Sequence, residues 1–325
     1  MIGGAGYIGS FTCYELAEHG HEVLVLDDLS SGHAEAIDAR WLLRGDFGDT
    51  SLLRSVIRDH GVDAVMHFAA ATGELQSTTD PAGYYRTNVI KPLKMLATLQ
   101  QCGVRRFVFS SSGAVYGDAR FPIPESGPLR PQSCYGRTKL AVENALEDYR
   151  LAHGLGYAVL RYFNAAGASP DGHRGEDHRP ETHLIPALLD VAMGRREAFV
   201  IMGDDFETPD GTAVRDYVHV EDIAQAHVLA LEALQPGQSI CYNVGTGRGT
   251  SVRETIAAVE QVTGLHIATR TGKRRPGDCA LRVADSSKMR SVLNWSPRYS
   301  DVGSIVETAW AWHRSHPHGY RALDE

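Results

Sequence analysis

MIGGAGYIGSF, residues 1–11, is the stretch on which the reading of the fold turns. Gly3, Gly6 and Gly9 fall at the spacing of a tight turn that lets backbone N–H groups approach a phosphate and then opens into a helix. The positive end of that helix stabilises the phosphate charge. Such a turn normally follows a buried strand, yet only Met1 and Ile2 precede it.

The sequence downstream supplies the context that a glycine pattern alone lacks. Apolar, β-rich runs recur at 22–27, 40–46, 63–69, 105–111 and 157–164, separated by helix-like periodic segments at 9–20, 50–60, 88–102 and 133–153. This alternation predicts an α/β fold of the Rossmann type, a doubly wound parallel sheet with helices on both faces, over residues 1–165. From residue 166 to 325 the pattern changes to loops rich in Gly, Pro and charge, with helices near 184–194, 221–234, 251–263 and 300–315. A smaller α/β substrate-binding domain is expected there, its segments interleaving with the first and roofing the carboxyl ends of the strands.

The first helix leads to the strand "VLVLD", which ends in Asp27 about 20 residues beyond the turn, where a carboxylate binds both ribose hydroxyls of NAD and repels a 2′-phosphate. NAD is the expected cofactor. "GDFGD" adds Asp46 and Phe47 at a later strand end, suited to the edge and face of an adenine.

"FSSSGAVYG" (109–117) closes a strand with hydroxyls, and "CYGRTK" (134–139) opens a helix on which Tyr135 and Lys139, four apart, share one face. A phenol near pKa 10 is a poor base at neutral pH, and bringing it there costs roughly 4 kcal/mol. The Lys139 ammonium and a cationic nicotinamide ring are expected to supply that stabilisation, with Ser112 binding the substrate hydroxyl and relaying its proton to Tyr135. The chemistry expected is hydride transfer at a carbon bearing a hydroxyl.

Composition narrows the alternatives. Apolar residues make up 43% of the 325, enough for a sizeable core, and no run approaches the ~20 apolar residues of a membrane span. A net charge of −8 disfavours nucleic acid and anionic membranes as partners. The five cysteines (Cys13, Cys102, Cys134, Cys241, Cys279) are odd in number and lack C-x-x-C pairing, as expected of reduced thiols in a cytoplasmic protein. His313, His316 and His318 stand beside Pro317 at a spacing that fits no helical ligand pair, so they are expected to form a solvated tail and no metal is expected.

Taken together, "GGAGYIGS", "HFA", "SSSGAVYG", "YGRTK", "LRYFNAAGA", "GED…PETHLIP", "DGTAVRDYVHVEDIA", "YNVGTG", "RRPGD" and "HPHGY" give the chain a nearly end-to-end resemblance to the extended short-chain dehydrogenase/reductases, specifically the UDP-glucose 4-epimerases. The resemblance implies a tightly held NAD that oxidises C4 of a UDP-hexose, rotation of the 4-keto sugar, and return of hydride to its other face. Ser112, Tyr135 and Lys139 are thereby implied as catalytic. Around the cofactor it implies Gly3, Gly6, Tyr7, Ile8, Gly9, Asp27, Asp28, Ser31, Gly32, Asp46 and Phe47, then Phe68, Ala69, Ala70, Thr72, Asn88, Ser110 and Phe163 beside Tyr135 and Lys139. The UDP-sugar is expected to meet Ser112, Asn164, His183, Leu184, Val200, Met202, Arg215, Arg275, Asp278 and Arg282. A homodimer is implied through helices 88–102 and 133–153.

Three departures accompany the resemblance. The strand before the glycines is about four residues shorter than the family's, which raises the expectation that residues precede Met1 in the native protein or that tag residues complete the sheet. Thr72 and Gln76 stand where relatives often carry Lys and Glu, with Ser77 matched. Arg282 takes the place of a residue that limits the space around the sugar; it is expected to swing to solvent, or else, like Arg174, to pair with a substrate carboxylate. That second option makes a UDP-glucuronate/UDP-galacturonate 4-epimerase the alternative reading, with UDP-N-acetylhexosamines and UDP-pentoses also open. Gly113 and Ala114 leave no acidic residue for a dehydratase or decarboxylase. A non-catalytic NAD-binding regulator is the remaining alternative, opposed by retention of Ser112, Tyr135 and Lys139.

Overall fold

The computed structural model describes residues 1–117, 121–275 and 278–320. Pro276 and Gly277 of "RRPGD" lie outside the described residues. The chain runs α1 (Tyr7–Glu18), β1 (Val25–Asp27), β2 (Leu42–Arg44), α2 (Thr50–Asp59), β3 (Ala64–His67), α3 (Pro81–Tyr85), α4 (Lys91–Cys102), β4 (Arg106–Ser110), α5 (Cys134–His153) and β5 (Gly156–Tyr162). It continues through β6 (Asn164–Ala166), α6 (Leu184–Ala192), β7 (Phe199–Met202), β8 (Val214–Arg215), β9 (Tyr217–His219), α7 (Val220–Ala233) and β10 (Ser239–Val244). The last elements are β11 (Thr250–Ser251), α8 (Val252–Thr263), β12 (Thr269–Gly272), β13 (Leu281–Arg282), α9 (Ser287–Leu293) and α10 (Val302–Ser315).

Met1 and Ile2 occupy the centre of the main sheet. Ile2 bridges in parallel to Leu26 of β1 on one side and to His67 of β3 on the other. Its amide donates to the Met66 carbonyl at 2.9 Å, and its own carbonyl accepts from the Phe68 amide at 2.8 Å. With this two-residue rung in place, the parallel order reads β2, β1, Ile2, β3, β4, β5, β10, the order of a dinucleotide-binding sheet with its switch point at the glycine turn. β10 joins this sheet from well beyond residue 165.

The sheet is buried on both faces, which is why its strands read as continuous apolar runs. One core packs Val108, Leu160 and Tyr242 against Ile223, Leu231 and Trp295; the other packs Val65, Phe107 and Val159 against Leu53, Leu96 and Leu146. A third core, with Ile185 and Leu188 of α6, Val259 of α8 and Ile305 of α10, supports the outer region. There β11, β8 and β13 form one small sheet and β12 pairs with β7 in another.

Several expected boundaries shift. The strand expected over 22–27 forms only at Val25–Asp27, and residues 39–41 make a 3₁₀ turn because the Asp38 carboxylate accepts the Arg40 amide. The helix expected over 88–102 begins earlier, as α3 passes through a π turn at Arg86–Ile90 into α4. The histidine tail is not fully solvated: His313 is buried on α10, and the His316 ring stacks on Trp312 at 3.8 Å. No helix among the described residues is long and apolar enough to cross a membrane.

Candidate active site

The glycine turn is built for close approach. Gly3 has φ +75°, and a Cβ there would lie 2.4 Å from the Ala69 nitrogen; at Gly9 it would lie 2.3 Å from the Gly3 carbonyl oxygen. Gly6 caps α1 with no side chain to offer, and among the described residues the Tyr7, Ile8 and Gly9 amides meet no protein acceptor. Three unpaired N–H groups at the positive end of a helix fit the diphosphate of NAD.

Asp27 ends β1 under this turn, accepting the Ala5 amide at 3.0 Å and the Leu29 amide at 2.9 Å. Burial raises its pKa and the two amides pull it partly back. The carboxylate thus fixes the loop while two lone-pair sites remain for ribose hydroxyls. Asp28 turns the chain by accepting the Ser30 amide, Ser31 is exposed, and Gly32 passes so near Ala5 that a Cβ would sit 2.8 Å from its carbonyl carbon.

Asp46 and Phe47 part company. The Asp46 carboxylate sits at the strand end, held by Lys91 at 2.7 Å and by the Gly48 amide. The Phe47 ring is buried against His67, 5.1 Å between centroids, so it presents no open face to an adenine. Alternation along the turn sends it into the core.

Asn88, in the π turn, also has a supporting part. Its amide oxygen accepts the Ala71 N–H at 2.8 Å, and its nitrogen donates to the Ala71 carbonyl and the Thr138 hydroxyl. It clamps the loop carrying Ala69, Ala70 and Thr72 onto α5. Tyr84, which the sequence reading passed over, donates from its hydroxyl to the Thr72 and Gly73 carbonyls of the same loop. Phe68 packs on His227, 4.7 Å between ring centroids.

The Ser133 hydroxyl caps α5 by accepting the Gly136 amide, which starts the helix so that Tyr135 and Lys139 face the end of β4. Lys139 donates to the Ser110 carbonyl at 2.8 Å and lies 5.7 Å from the Tyr135 ring centroid; the Ser110 hydroxyl itself pairs with Tyr162. The Ser112 hydroxyl accepts the Ala114 amide at 3.2 Å and stands near enough to the Tyr135 phenol to oppose the rise in its pKa. The three candidate catalytic groups thus lie together at the carboxyl end of β4, with Tyr135 and Lys139 on the α5 face turned toward it.

Their electrostatics differ from the sequence expectation in one respect. Burial pushes the Tyr135 phenol well above its ordinary range, with only the Ser112 hydrogen bond opposing, and burial lowers Lys139 to about 7 despite the nearby Glu143 carboxylate. Desolvation by the chain itself thus outweighs any help the lysine gives the phenolate, leaving a bound cation to tip the balance.

A stability prediction follows from Lys139. Its folded pKa lies below the ordinary 10.5, so between about pH 7 and 10.5 the unfolded chain binds more protons and stability rises with pH. The penalty is complete below the folded value and absent above the unfolded one. Lys139→Met should flatten this rise in denaturant unfolding measured across that window while abolishing most turnover.

At the other end of the cleft, Phe163 is buried so near Gly113 that a Cβ there would lie 3.2 Å from its ring, and Asn164 begins β6 beside it. His183 and Leu184 open α6, Val200 and Met202 share one face of β7, and Arg215 faces Arg282 across the β8–β13 pair. Arg215 lies 3.7 Å from Asp278, while Arg275 is exposed. Arg282 does not swing to solvent. Its guanidinium is mostly buried and donates to Glu74 at 2.6 Å, a partner missed in the sequence because Gln76, two residues on, appeared to hold the acidic position.

The chain matches the NAD dependent epimerase/dehydratase family over residues 1–245. It belongs to that family. It is 48% identical to the UDP-glucose 4-epimerase of Halalkalibacterium halodurans over 322 residues, 98% of this chain and 96% of that one. A crystal structure of a UDP-glucose 4-epimerase matches with TM-score 0.94 at 45% identity, covering 99% of this chain and 98% of the other. The Bifidobacterium longum UDP-glucose 4-epimerase in complex with NAD+ and UDP matches with TM-score 0.94 at 33% identity, covering 98% of each chain. The unpaired amides of α1 stand at the glycine turn after Ile2, and the Ser112, Tyr135 and Lys139 group at the carboxyl end of β4.

Proposed function

We propose that this chain is an NAD-dependent isomerase that interconverts UDP-glucose and UDP-galactose at C4. The observation that carries the reading is that Tyr135 and Lys139 share the face of α5 turned to the carboxyl end of β4, where Ser112 follows the strand. The full-length similarity to UDP-glucose 4-epimerases supports it.

NAD, held by the α1 amides and Asp27, would supply a reversible hydride acceptor for C4 and positive charge at the site. Tyr135 takes the proton of the C4 hydroxyl as the carbon–hydrogen bond breaks and gives it back when that bond reforms. Ser112 holds the hydroxyl and bridges it to the phenol. Lys139, anchored to the Ser110 carbonyl, faces the phenolate as it develops and lowers the cost of its charge. Arg215 and Arg275 supply forked donors for the diphosphate, and Asp278 orients Arg215. Asn164, Leu184, Val200 and Met202 shape the remaining wall.

The uronate alternative needs a cation free to meet a C6 carboxylate. Arg282 already pairs with Glu74, and Arg174 is packed on α1, over the Tyr14 ring at 4.1 Å and the Phe11 ring at 5.6 Å. Side-by-side turnover should therefore favour UDP-glucose over UDP-glucuronate by on the order of 100-fold in kcat/KM, the scale of one uncompensated buried charge. Equal turnover of the two would reject the neutral-sugar assignment.

Exposed Ile90 at the end of the π turn, Leu93 on α4 and Leu151 on α5 give this side an apolar outer face suited to a second copy, and a homodimer belongs to the proposal. The five free thiols suit the reducing cytoplasm.

A further inference from the structure

At the edge of the cleft, the segment that carries "GEDHRPETHLIP" draws four ligand-type side chains, His183 beside the substrate wall among them, into one cluster. The ligand atoms of Glu176, His178, Glu181 and His183 all lie within 4.8 Å of one another. A tetrahedral ion with bonds near 2.0–2.1 Å sets its ligands roughly 3.3 Å apart, so a pair at the 4.8 Å limit would close by about 1.5 Å and the Glu176–His178 pair, now at 2.9 Å, would open slightly.

The group is held in place from several sides. The Glu176 carboxylate is buried, and one of its oxygens meets Nδ1 of both His178, at 2.9 Å, and His183. One Glu181 oxygen accepts the Thr182 and His183 amides at 2.7 Å, which leaves the other aimed toward His178. Trp312 donates to the Glu176 carbonyl, and the Tyr7 ring stands edge-on to His178. The histidine rings remain partly open to solvent, which gives an ion a route in.

We propose that Glu176, His178, Glu181 and His183 form a binding site for one divalent transition-metal ion of the zinc type. Two imidazoles with two carboxylates is a nitrogen–oxygen donor set that suits zinc and its neighbours and disfavours magnesium or calcium. The ion would act as a structural rivet. It joins the segment leading into α6, and hence Leu184 of the substrate wall, to Tyr7 at the head of the cofactor helix, whose hydroxyl is already tied to the Gly167 carbonyl at 2.6 Å.

The test strips purified NAD-loaded protein with a chelator, then titrates it with Zn²⁺ by calorimetry and with Co²⁺ by visible absorption, following Tm throughout. One equivalent of Zn²⁺ should bind and raise Tm, and Co²⁺ should give the intense visible bands of a tetrahedral site. A folded His178→Gln variant should bind Zn²⁺ at least about 100-fold more weakly, the upper end of what losing a supporting partner alone costs. If the stripped protein takes up no Zn²⁺, the cluster is an ion-pair network and the proposal fails. Uptake undiminished in His178→Gln, or also in a Glu176→Gln variant kept as a second probe, overturns it equally.

Discussion

A Tyr135→Phe variant is expected to fold normally, to retain its NAD, and to lose roughly 10²- to 10⁴-fold in kcat, the range that positioned proton transfer contributes. The loss is chemical because the ring stays. Phenylalanine fills the same buried space between Ala114, Cys134 and Tyr84, and the deleted hydroxyl is the proposed proton-exchange group for a substrate held by Ser112. Burial makes the site hostile to the unaided phenolate, so the effect should come with little loss of stability. Steady-state kinetics together with thermal unfolding separate the two. A fully active variant would revive the non-catalytic NAD binder.

The largest stability effect is expected at Arg161→Met. Arg161 and Glu143 are buried between β5 and α5, with contacts of 3.1 and 2.5 Å, and the arginine also donates to the Tyr116 hydroxyl at 2.8 Å. Ser111 donates to the same carboxylate at 2.5 Å, and Tyr116 passes the chain of hydrogen bonds to Asn243 on β10. Removing the guanidinium strands a buried carboxylate at a cost of about 3–5 kcal/mol. Chemical denaturation should show that loss, and adding Glu143→Gln should recover part of it by neutralising the stranded charge. Failure of the double variant to recover anything would assign the damage to packing. Because α5 carries Tyr135 and Lys139, this pair also sets where the catalytic groups stand on the sheet.

Much of this was legible in the residues. The alternation of apolar runs and helical periods, with glycines ahead of an acidic strand end, specified the parallel sheet and its switch point. The four-residue spacing of Tyr135 and Lys139 placed both on one helix face. What stayed hidden depends on tertiary pairing. Ile2 holds the central rung because β1 and β3 present partners on both sides, a pairing that no local pattern around it signals. β10 lies far from its neighbour β5 in sequence. Phe47 looked like a ligand face because its burial is decided by α2, α4 and His67. By sequence alone Arg282 points to solvent, because its partner Glu74 lies 208 positions away and faces it only in the folded chain. The Glu176–His183 cluster carried a signal, alternating acids and imidazoles at short spacing, but only the folded loop makes the four converge.

The central claim is that the C4 hydrogen leaves the sugar and comes back to the same carbon while Tyr135 handles only the hydroxyl proton. Epimerisation of UDP-galactose deuterated at C4, run in ordinary water and read by mass spectrometry and proton NMR of the product, tests it directly. The account predicts UDP-glucose that keeps the deuterium at C4. Product with that label washed out into solvent would contradict it.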